Sequence, residues 1–570
     1  MSNRRFSLSV LHMLLFSLLT VGMTFGPAHA RGGPAVSLPS DQAMPRLVQN
    51  HGSYQLVVDG APFLILGGEL ENSTASDRRF LGQYWNKLAG MGLNTVIAPV
   101  SWELIEPQEG VFDFSSVDFL LADARQHHMR LVLLWFGSWK NSMSSYVPAW
   151  VKRDPVRFLR SRDTNGTPLE ILSPTSANAL AADSAAFRAL MAHLKQVDGK
   201  QHSVLMVQVE NEVGMLPDAR DHSADADVAF AAPVPRALTD YLAAHRDTLT
   251  PSLKAVWEAH GSKTGASWAE TFGAGIETDE IFNAWCQALY TGKVAAAGKA
   301  VYPLPTFVNA ALIRPGRKPG EYPSGGPLPH LYEVWRAAAP VIDMLSPDLY
   351  FPNFVEWAGQ YVRPDNPFFI PETGRVNAEE MAANAFYAFG HLNAIGFSPY
   401  APEYFGDKDA ASLGAGYGVL QQLAPLILKA QGTGKILGIR APTNFDGVTD
   451  LAPQNVPLGG YRFKILSTEP PPTSVGAKPA ETKPGAHGGL IIQTGPDDFV
   501  IAGTGLIFYA TVSDTSGDVV GFDRVEEGRF VGGHWLAGRR INGDLTNQAR
   551  FIRLPVNQFG VLYVHLYRYH

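Results

Sequence analysis

Eight apolar runs, each followed by a stretch of helical character, constrain the fold of this 570-residue chain more than any other feature. Their interiors are apolar almost throughout, which is typical of parallel strands that are covered on both faces. Eight successive strand–helix units predict an α/β fold, a (β/α)8 barrel. An open doubly wound sheet is disfavoured, because no glycine-rich phosphate loop follows the first run. The runs are LILGGEL (64–70), NTVIAPVSW (94–102), RLVLLWFGSW (130–139), VLMVQVENE (204–212), PTFVNAALI (305–313), IDMLSPDLYF (342–351), PFFIPETG (367–374) and GFSPYAPEYF (396–405).

The rest of the chain divides around this barrel, which we predict over residues 51–435. A segment at about 217–303 is longer than one barrel helix requires, so we expect extra helices there, over the barrel mouth. From residue 436 the pattern changes to short strands and turns, which predicts a C-terminal β-sandwich domain over 436–570. A stretch rich in Pro, Thr and Gly at 468–489 is interpreted as an exposed loop within that domain.

The first thirty residues have the pattern of a secretory signal peptide. Arg4 and Arg5 precede an apolar run, and small residues follow that run at 28–30. We therefore expect residues 1–30 to be removed and residues 31–50 to form a leader. Because no second run of about twenty apolar residues follows, we expect an exported protein without a membrane anchor, in the periplasm or outside the cell.

Composition excludes several classes of protein. The chain is 46% hydrophobic, 11% aromatic and only 17% charged, so it can bury a large core and is not disordered overall. A net charge of −7 without a basic run argues against a nucleic-acid partner and favours a neutral one. Cys286 is the sole thiol, so no intrachain disulfide can form. The sequence leaves open whether the chain forms a homodimer.

The predicted strand ends carry the residues that could do chemistry, because active sites of such barrels lie at the carboxyl ends of the strands. Carboxylates, aromatic residues and amides dominate there. The sequence contains no HxH, HExxH or CxxC motif, so we predict neither a bound metal nor another cofactor.

Two carboxylates among aromatic rings are what glycoside cleavage requires: one protonates the leaving oxygen, and the other attacks the anomeric carbon or activates water. Glu212 and Glu372 are the predicted pair, because an apolar run delivers each to the same end of the barrel. Glu210 competes with Glu212, since residues two apart on a strand point to the same side of the sheet. We expect Glu210 to lie deeper in the barrel.

Three segments carry a resemblance to a known family. The segments VQVENEVG (207–214), GLNTVIAPVSWELIEPQEGVFDF (92–114) and YVPAWV (146–151) resemble motifs of glycoside hydrolase family 35 β-galactosidases. The resemblance spans roughly residues 50–430 and is nearest to a bacterial branch with a C-terminal β domain, some members of which remove galactose from xyloglucan. It implies a (β/α)8 barrel and net retention of configuration.

The same resemblance implies roles for individual residues. Glu212 would be the general acid/base and Glu372 the nucleophile. Asn211 would bind the sugar 2-hydroxyl, and Tyr350 would steady Glu372. Further sugar contacts are expected from residues near the ends of the first three strands, namely Glu69, Trp102, Trp139 and Asn141.

Departures from the family pattern leave specificity open. The third run, LVLLWFGSWKN, replaces the Cys-Ala-Glu-Trp segment of better-known members, and PETGR replaces their usual seventh-strand context. A retaining β-glucosidase, β-xylosidase or arabinosidase therefore stays as an alternative. The alternative outside catalysis is a secreted carbohydrate-binding protein on an inactive barrel.

Overall fold

The computed structural model describes residues 44–374, 376–467 and 485–570. The predicted signal peptide lies outside these residues, as do most of the predicted leader and positions 468–484 of the Pro-rich stretch. None of the helices in the described part of the chain is long and apolar enough to cross a membrane.

A three-stranded antiparallel sheet precedes the barrel. It consists of β1 (Arg46–Asn50), β2 (Ser53–Val58) and β3 (Ala61–Phe63). Its β1 comes from the last residues of the predicted leader. The turn between β2 and β3 is Asp59–Gly60, and both residues have positive φ, which suits a two-residue hairpin loop. Leu56 and Val58 of β2 pack against the apolar interior of the barrel.

Eight parallel strands close into a barrel, so the predicted fold is confirmed. Each barrel strand coincides with one of the eight apolar runs. An additional two-stranded hairpin, β7 (Arg160–Arg162) and β8 (Pro168–Leu172), lies between the third and fourth barrel strands. In chain order the strands are β4 (Ile65–Glu69), β5 (Thr95–Ser101), β6 (Arg130–Lys140), β7 (Arg160–Arg162), β8 (Pro168–Leu172), β9 (Val204–Asn211), β10 (Thr306–Ala311), β11 (Met344–Leu349), β12 (Phe369–Thr373) and β13 (Gly396–Pro399).

Helices surround the barrel, and several short ones occupy the predicted insertion. Helices α7 to α11 fall within the segment predicted at about 217–303, and the long α11 packs on α6. The helices are α1 (Arg78–Gly82), α2 (Trp85–Gly90), α3 (Trp102–Ile105), α4 (Ser115–Gln126), α5 (Ala149–Lys152), α6 (Ala177–Asp198), α7 (Ala224–Ala231), α8 (Arg236–Ala244), α9 (Pro251–Ala259), α10 (Trp268–Phe272), α11 (Ile276–Lys299), α12 (Tyr332–Ala338), α13 (Phe354–Tyr361), α14 (Ala378–Gly390) and α15 (Asp407–Ala430).

The barrel strands are apolar on both faces because each face packs into a different core. Leu205 and Met206 of β9 belong to the cluster that fills the barrel interior. Val207 and Val209 of the same strand belong to the layer between the strands and the surrounding helices. Burying one such side chain stabilises the fold by about 1.5–3 kcal/mol, so both layers favour closure of the barrel.

The C-terminal domain is a β-sandwich, as predicted. Its six-stranded sheet has the order β14–β17–β18–β23–β20–β21, its four-stranded sheet has the order β15–β16–β19–β22, and one apolar cluster lies between them. The outer face of the larger sheet packs on α14, where Gly390 and Gly438 allow the helix and β14 backbones to touch. The strands are β14 (Ile436–Ile439), β15 (Gln454–Leu458), β16 (Tyr461–Leu466), β17 (Gly488–Gln493), β18 (Asp498–Thr504), β19 (Leu506–Val512), β20 (Val519–Val531), β21 (His534–Arg540), β22 (Ile552–Leu554) and β23 (Gly560–Tyr569).

Candidate active site

A cavity of about 720 Å³ opens at the carboxyl ends of the barrel strands. Phe351 and Phe405 form part of its apolar wall, and its polar groups come from residues that follow or end several barrel strands. Such a mixture of a few converging polar groups with aromatic walls is typical of a small-molecule site. The polar lining consists of Asn72, Lys140, Asn141, Glu212, Arg314, Asp348, Tyr350, Glu372 and Tyr400.

The two predicted catalytic glutamates meet in this cavity. Glu212 directly follows β9, the fourth barrel strand, and Glu372 lies near the end of β12, the seventh. Carboxylate oxygens of the two residues lie within 4.8 Å of each other. The side chains are almost buried, at 6% and 5% exposure, so the cavity brings together two carboxyl groups that are shielded from bulk water.

Each glutamate has a hydrogen-bond donor that fixes its carboxylate. The Tyr350 hydroxyl donates to Oε1 of Glu372, and the Asn141 side-chain amide donates to Oε2 of Glu212. Tyr350 therefore contacts the predicted nucleophile, as expected for a residue that steadies it. Asn141 lines the cavity, as expected for a sugar contact, and it also orients Glu212.

Asp348 is a third carboxyl group in the cluster, and it was not among the site residues predicted from the sequence. It lies on β11 at 2% exposure, and one of its oxygens lies within 4.8 Å of oxygens of both Glu212 and Glu372. Asn309 on β10 joins Asp348 to Glu212: its amide donates to Asp348 Oδ2 at 2.6 Å, and its carbonyl accepts the Glu212 backbone N–H at 2.9 Å. The available signal for both positions was an amide or carboxyl side chain near the end of a largely apolar strand run.

This crowding of carboxyl groups favours the protonated form of at least one of them. Two unit charges 4.8 Å apart repel by roughly 3–4 kcal/mol at an effective dielectric constant of about 20. Burial, reinforced by the charges of Glu372 and Glu212, raises the pKa of Asp348 well above its usual range. Among the described residues, these three carboxyls are also the group whose spacing would suit a metal ion. That the chain binds no metal is still a prediction from its sequence motifs alone.

Glu69 lies at the end of β4, at 1% exposure, next to Glu372. Burial and the neighbouring Glu372 raise the pKa of Glu69 well above its usual range, and the cation of Lys140 opposes this rise. Lys140, too, was not among the site residues predicted from the sequence. Apart from its contact with Glu372, Glu69 has no hydrogen-bond partner among the described residues, so a polar group of a ligand could bond to it.

Asn211 ends β9 with its side chain 1% exposed. Neither its amide nitrogen nor its carbonyl oxygen has a hydrogen-bond partner in the described part of the chain. A buried amide without partners is costly, at roughly 1–3 kcal/mol, and commonly marks a position that a ligand completes. This fits the expected contact between Asn211 and a sugar hydroxyl.

Glu210 does not join the cavity. Its side chain is fully buried and faces Asp183 of α6, and its Oε2 accepts the Trp139 backbone N–H at 2.7 Å. Gly137 makes room, because a Cβ there would lie 2.8 Å from oxygens of both carboxyls. The strand rule that places Glu210 beside Glu212 fails here, because both residues have positive φ, 63° and 42°, and the chain leaves regular strand geometry.

Two predicted sugar contacts are not brought to the cavity. Trp102 and Trp139 are fully buried. The indole N–H of Trp102 donates to Glu106 at 2.8 Å, and that of Trp139 donates to the Leu172 carbonyl at 3.1 Å. Both indoles pack between the barrel and the surrounding elements, because their large apolar surfaces gain more from burial there than at a wet strand end.

Comparisons with known proteins match parts of the chain. A family model described as "Beta-galactosidase" matches residues 75–272, and a model described as a domain of unknown function (DUF5597) matches residues 413–553. A β-galactosidase of Xanthomonas manihotis is 30% identical over 207 residues, which cover 34% of this chain and 31% of that protein. Beta-galactosidase-1-like protein 3 of Homo sapiens is 30% identical over 176 residues, which cover 29% of this chain and 24% of that protein.

Solved structures give a distant match. A β-galactosidase from Bacillus circulans sp. alkalophilus is 16% identical with a TM-score of 0.43, and the match covers 64% of this chain and 57% of that one. The enzyme from Halorubrum lacusprofundi is 16% identical with a TM-score of 0.42, covering 63% and 58%. The chain spans less than a third of the length of the two curated relatives above. The residues matched by the β-galactosidase family model, 75–272, hold the second to fourth barrel strands and contain Glu212 but not Glu372.

Proposed function

We propose that this chain is a retaining β-galactosidase that hydrolyses terminal non-reducing β-D-galactosyl residues. The observation that carries the proposal is the approach of the Glu212 and Glu372 carboxylates to within 4.8 Å, from the fourth and seventh barrel strands. Retaining glycosidases separate their two carboxyl groups by about 5–5.5 Å, whereas inverting enzymes need about 6.5–9.5 Å to admit a water molecule. The observed spacing supports retention.

In the first step, a Glu372 carboxylate oxygen attacks the anomeric carbon while Glu212 donates its proton to the leaving glycosidic oxygen. The bond from Glu372 to the sugar forms as the glycosidic bond breaks. The Tyr350 hydroxyl bonds Glu372 at Oε1, so we assign the attack to the other oxygen, Oε2. The Tyr350 contact thus orients the nucleophile.

In the second step, Glu212 is a carboxylate and takes a proton from water, whose oxygen attacks the same anomeric carbon. The bond between Glu372 and the sugar breaks, and Glu212 regains its proton. Asn141 and Asn309 hold Glu212 through both steps, one by its side chain and the other by its backbone. Two inversions give net retention.

Sugar recognition is proposed for three of the residues that the sequence predicts as sugar contacts. Asn211 supplies a buried amide for the 2-hydroxyl, Glu69 supplies a buried carboxyl group, and Asn141 supplies a cavity-lining amide. Galactose is favoured over other sugars because both the matched family model and the curated relatives carry β-galactosidase names.

The family 35 resemblance supports a narrower proposal, in which the natural substrates are galactosylated side chains of plant polysaccharides such as xyloglucan. The signal-peptide pattern of residues 1–30 supports the further proposal that the enzyme is exported. The cavity wall at Phe351 and Phe405 offers apolar surface to an acceptor glycan. Galactose released from xyloglucan oligosaccharides, measured by chromatography, tests the substrate. Its absence, with activity on simple galactosides intact, would exclude this substrate.

The central test compares hydrolysis of aryl β-D-galactoside, glucoside, xyloside and arabinoside by the wild type. We expect the galactoside to be preferred, and NMR to detect β-galactose before mutarotation. A preference for another glycoside would reject the galactosidase assignment, and initial release of α-galactose would reject retention.

Glu372→Gln should abolish turnover, and a 2-deoxy-2-fluorogalactosyl reagent should label the wild type on the peptide that contains Glu372. Glu403→Gln is the matched control. Glu403 is another fully buried glutamate after a barrel strand, but its carboxylate accepts from the Glu71 backbone N–H and the Thr74 hydroxyl instead of lining the cavity. Absence of hydrolysis and labelling in the wild type would favour a carbohydrate-binding protein.

A further inference from the structure

Asp348 faces both proposed catalytic carboxyls and is not used in the steps above. Its Oδ2 accepts the Asn309 amide at 2.6 Å. Its Oδ1 is buried and receives no hydrogen bond from any donor among the described residues. One of the two oxygens approaches Glu212 and Glu372 within 4.8 Å. A buried carboxyl in this position either carries a proton or shares one.

Asn309 favours sharing between Asp348 and Glu212. The same Asn309 side chain binds the Glu212 backbone N–H and the Asp348 carboxylate, so it fixes the two residues relative to each other. Because the Asn309 amide nitrogen can only donate, Asp348 Oδ2 is the acceptor in that bond, and the remaining Oδ1 is available for a shared proton.

Several charged or titratable groups in the described part of the chain surround this pair, and they come from separate elements. Glu69 and Glu372 are carboxyl groups, so their charges disfavour a second negative charge on the pair. The cations Lys140 and Arg314 line the same cavity, and Lys140 opposes the rise in the pKa of Glu69. The groups are Glu69 at the end of β4, Lys140 at the end of β6, Arg314 after β10, Tyr350 after β11, Tyr361 on α13 and Glu372 on β12.

We propose that Asp348 is a positioning residue that shares one proton with Glu212. The shared proton keeps Glu212 able to act as a general acid. This inference deepens the proposed function and rests on it. In the first step the shared proton passes through Glu212 to the leaving oxygen, and the pair is left with two negative charges. That repulsion makes Glu212 a stronger base, which takes one proton from water in the second step. The pair thereby regains the proton that it lost.

The test is the pH dependence of kcat/KM for an aryl β-D-galactoside. In the wild type, the last proton leaves the coupled pair at elevated pH, which sets the basic limb of the profile. Asp348→Asn removes one negative charge and keeps the shape, so the basic limb should move to lower pH by about one unit or more. Asp348→Ser is neutral and smaller and should move the limb in the same direction.

Asp221→Asn is the matched control. Asp221 is equally buried, at 1% exposure, and its carboxylate accepts from the Arg162 and Ser223 backbones outside the cavity. This control should leave the basic limb where it is. Superimposable profiles for wild type and both Asp348 variants, or a shift to higher pH, would overturn the inference.

A second measurement does not depend on turnover. A carboxyl with a raised folded-state pKa stabilises the fold fully at low pH, and this stabilisation is lost as the pH rises through the raised value. The Tm of the wild type should therefore fall between about pH 5 and pH 8, and the Tm of Asp348→Asn should fall less over the same range. If the wild type cleaves no glycoside but the drop shrinks, the proposed function fails and the shared proton stands. An unchanged drop refutes the shared proton.

Discussion

Tyr350→Phe removes one oxygen atom from the hydrogen bond to the proposed nucleophile. The ring itself is packed: it lies 6.3 Å from the Tyr400 ring and covers Gly374, where a Cβ would lie 2.6 Å from Tyr350 Cε1. Phenylalanine can keep these contacts, so we expect the variant to fold. The lost interaction is the hydroxyl donated to Glu372 Oε1.

The magnitude follows from the kind of hydrogen bond. A hydrogen bond to a charged group contributes about 1.5–3 kcal/mol, which corresponds to a loss of roughly 10- to 150-fold in kcat/KM if the bond persists in the transition state. The effect should fall on kcat as well as on kcat/KM, because Tyr350 orients the attacking group instead of simply holding the sugar.

The assay is steady-state hydrolysis of an aryl β-D-galactoside, with Tyr361→Phe as control. Tyr361 is buried at 1% exposure, and its hydroxyl donates to the Pro327 carbonyl at 3.1 Å, away from the cavity lining. This control should lose about 1 kcal/mol of unfolding free energy and leave kcat unchanged. A Tyr350→Phe enzyme within about twofold of the wild type in kcat/KM, or one changed in KM alone, would refute the role of the hydroxyl.

Three further predictions concern other buried groups. Asn211→Ala should lower kcat/KM for a galactoside by about 10-fold or more but change hydrolysis of the 2-deoxygalactoside little; equal losses on both substrates would contradict a contact with the 2-hydroxyl. Glu210 has a pKa raised well above its usual range by burial and by Asp183, so Glu210→Gln should reduce the loss of Tm as the pH rises from about 5 to 8; an unchanged loss would contradict proton binding there. Burial raises the pKa of Cys286 to about 12, so a thiol reagent at about pH 8 should react only after unfolding, and rapid reaction of the native protein would contradict that burial.

The sequence by itself determined the architecture, because the signal is local and repeated. An apolar run such as VLMVQV indicates a strand that is buried on both faces. Eight such runs separated by helices favour a closed parallel barrel. The same logic brings Glu212 and Glu372 to one end of the barrel, since all parallel strands end on the same side.

Tertiary structure alone decided which strand-end side chains enter the cavity. Positive φ at Glu210 and Glu212 breaks the two-residue alternation, so Glu210 turns to Asp183 while Glu212 faces Glu372. Trp139 was predicted as a sugar contact, but its indole N–H bonds the Leu172 carbonyl and its ring packs in the buried core.

The link from Asn309 to Asp348 and Glu212 likewise joins residues that are 39 and 97 positions apart in the chain. Periodicity in sequence reports on burial within one element. The direction of a side chain beyond the end of a strand, and the neighbours that set its charge, depend on contacts between distant segments that only the closed barrel creates.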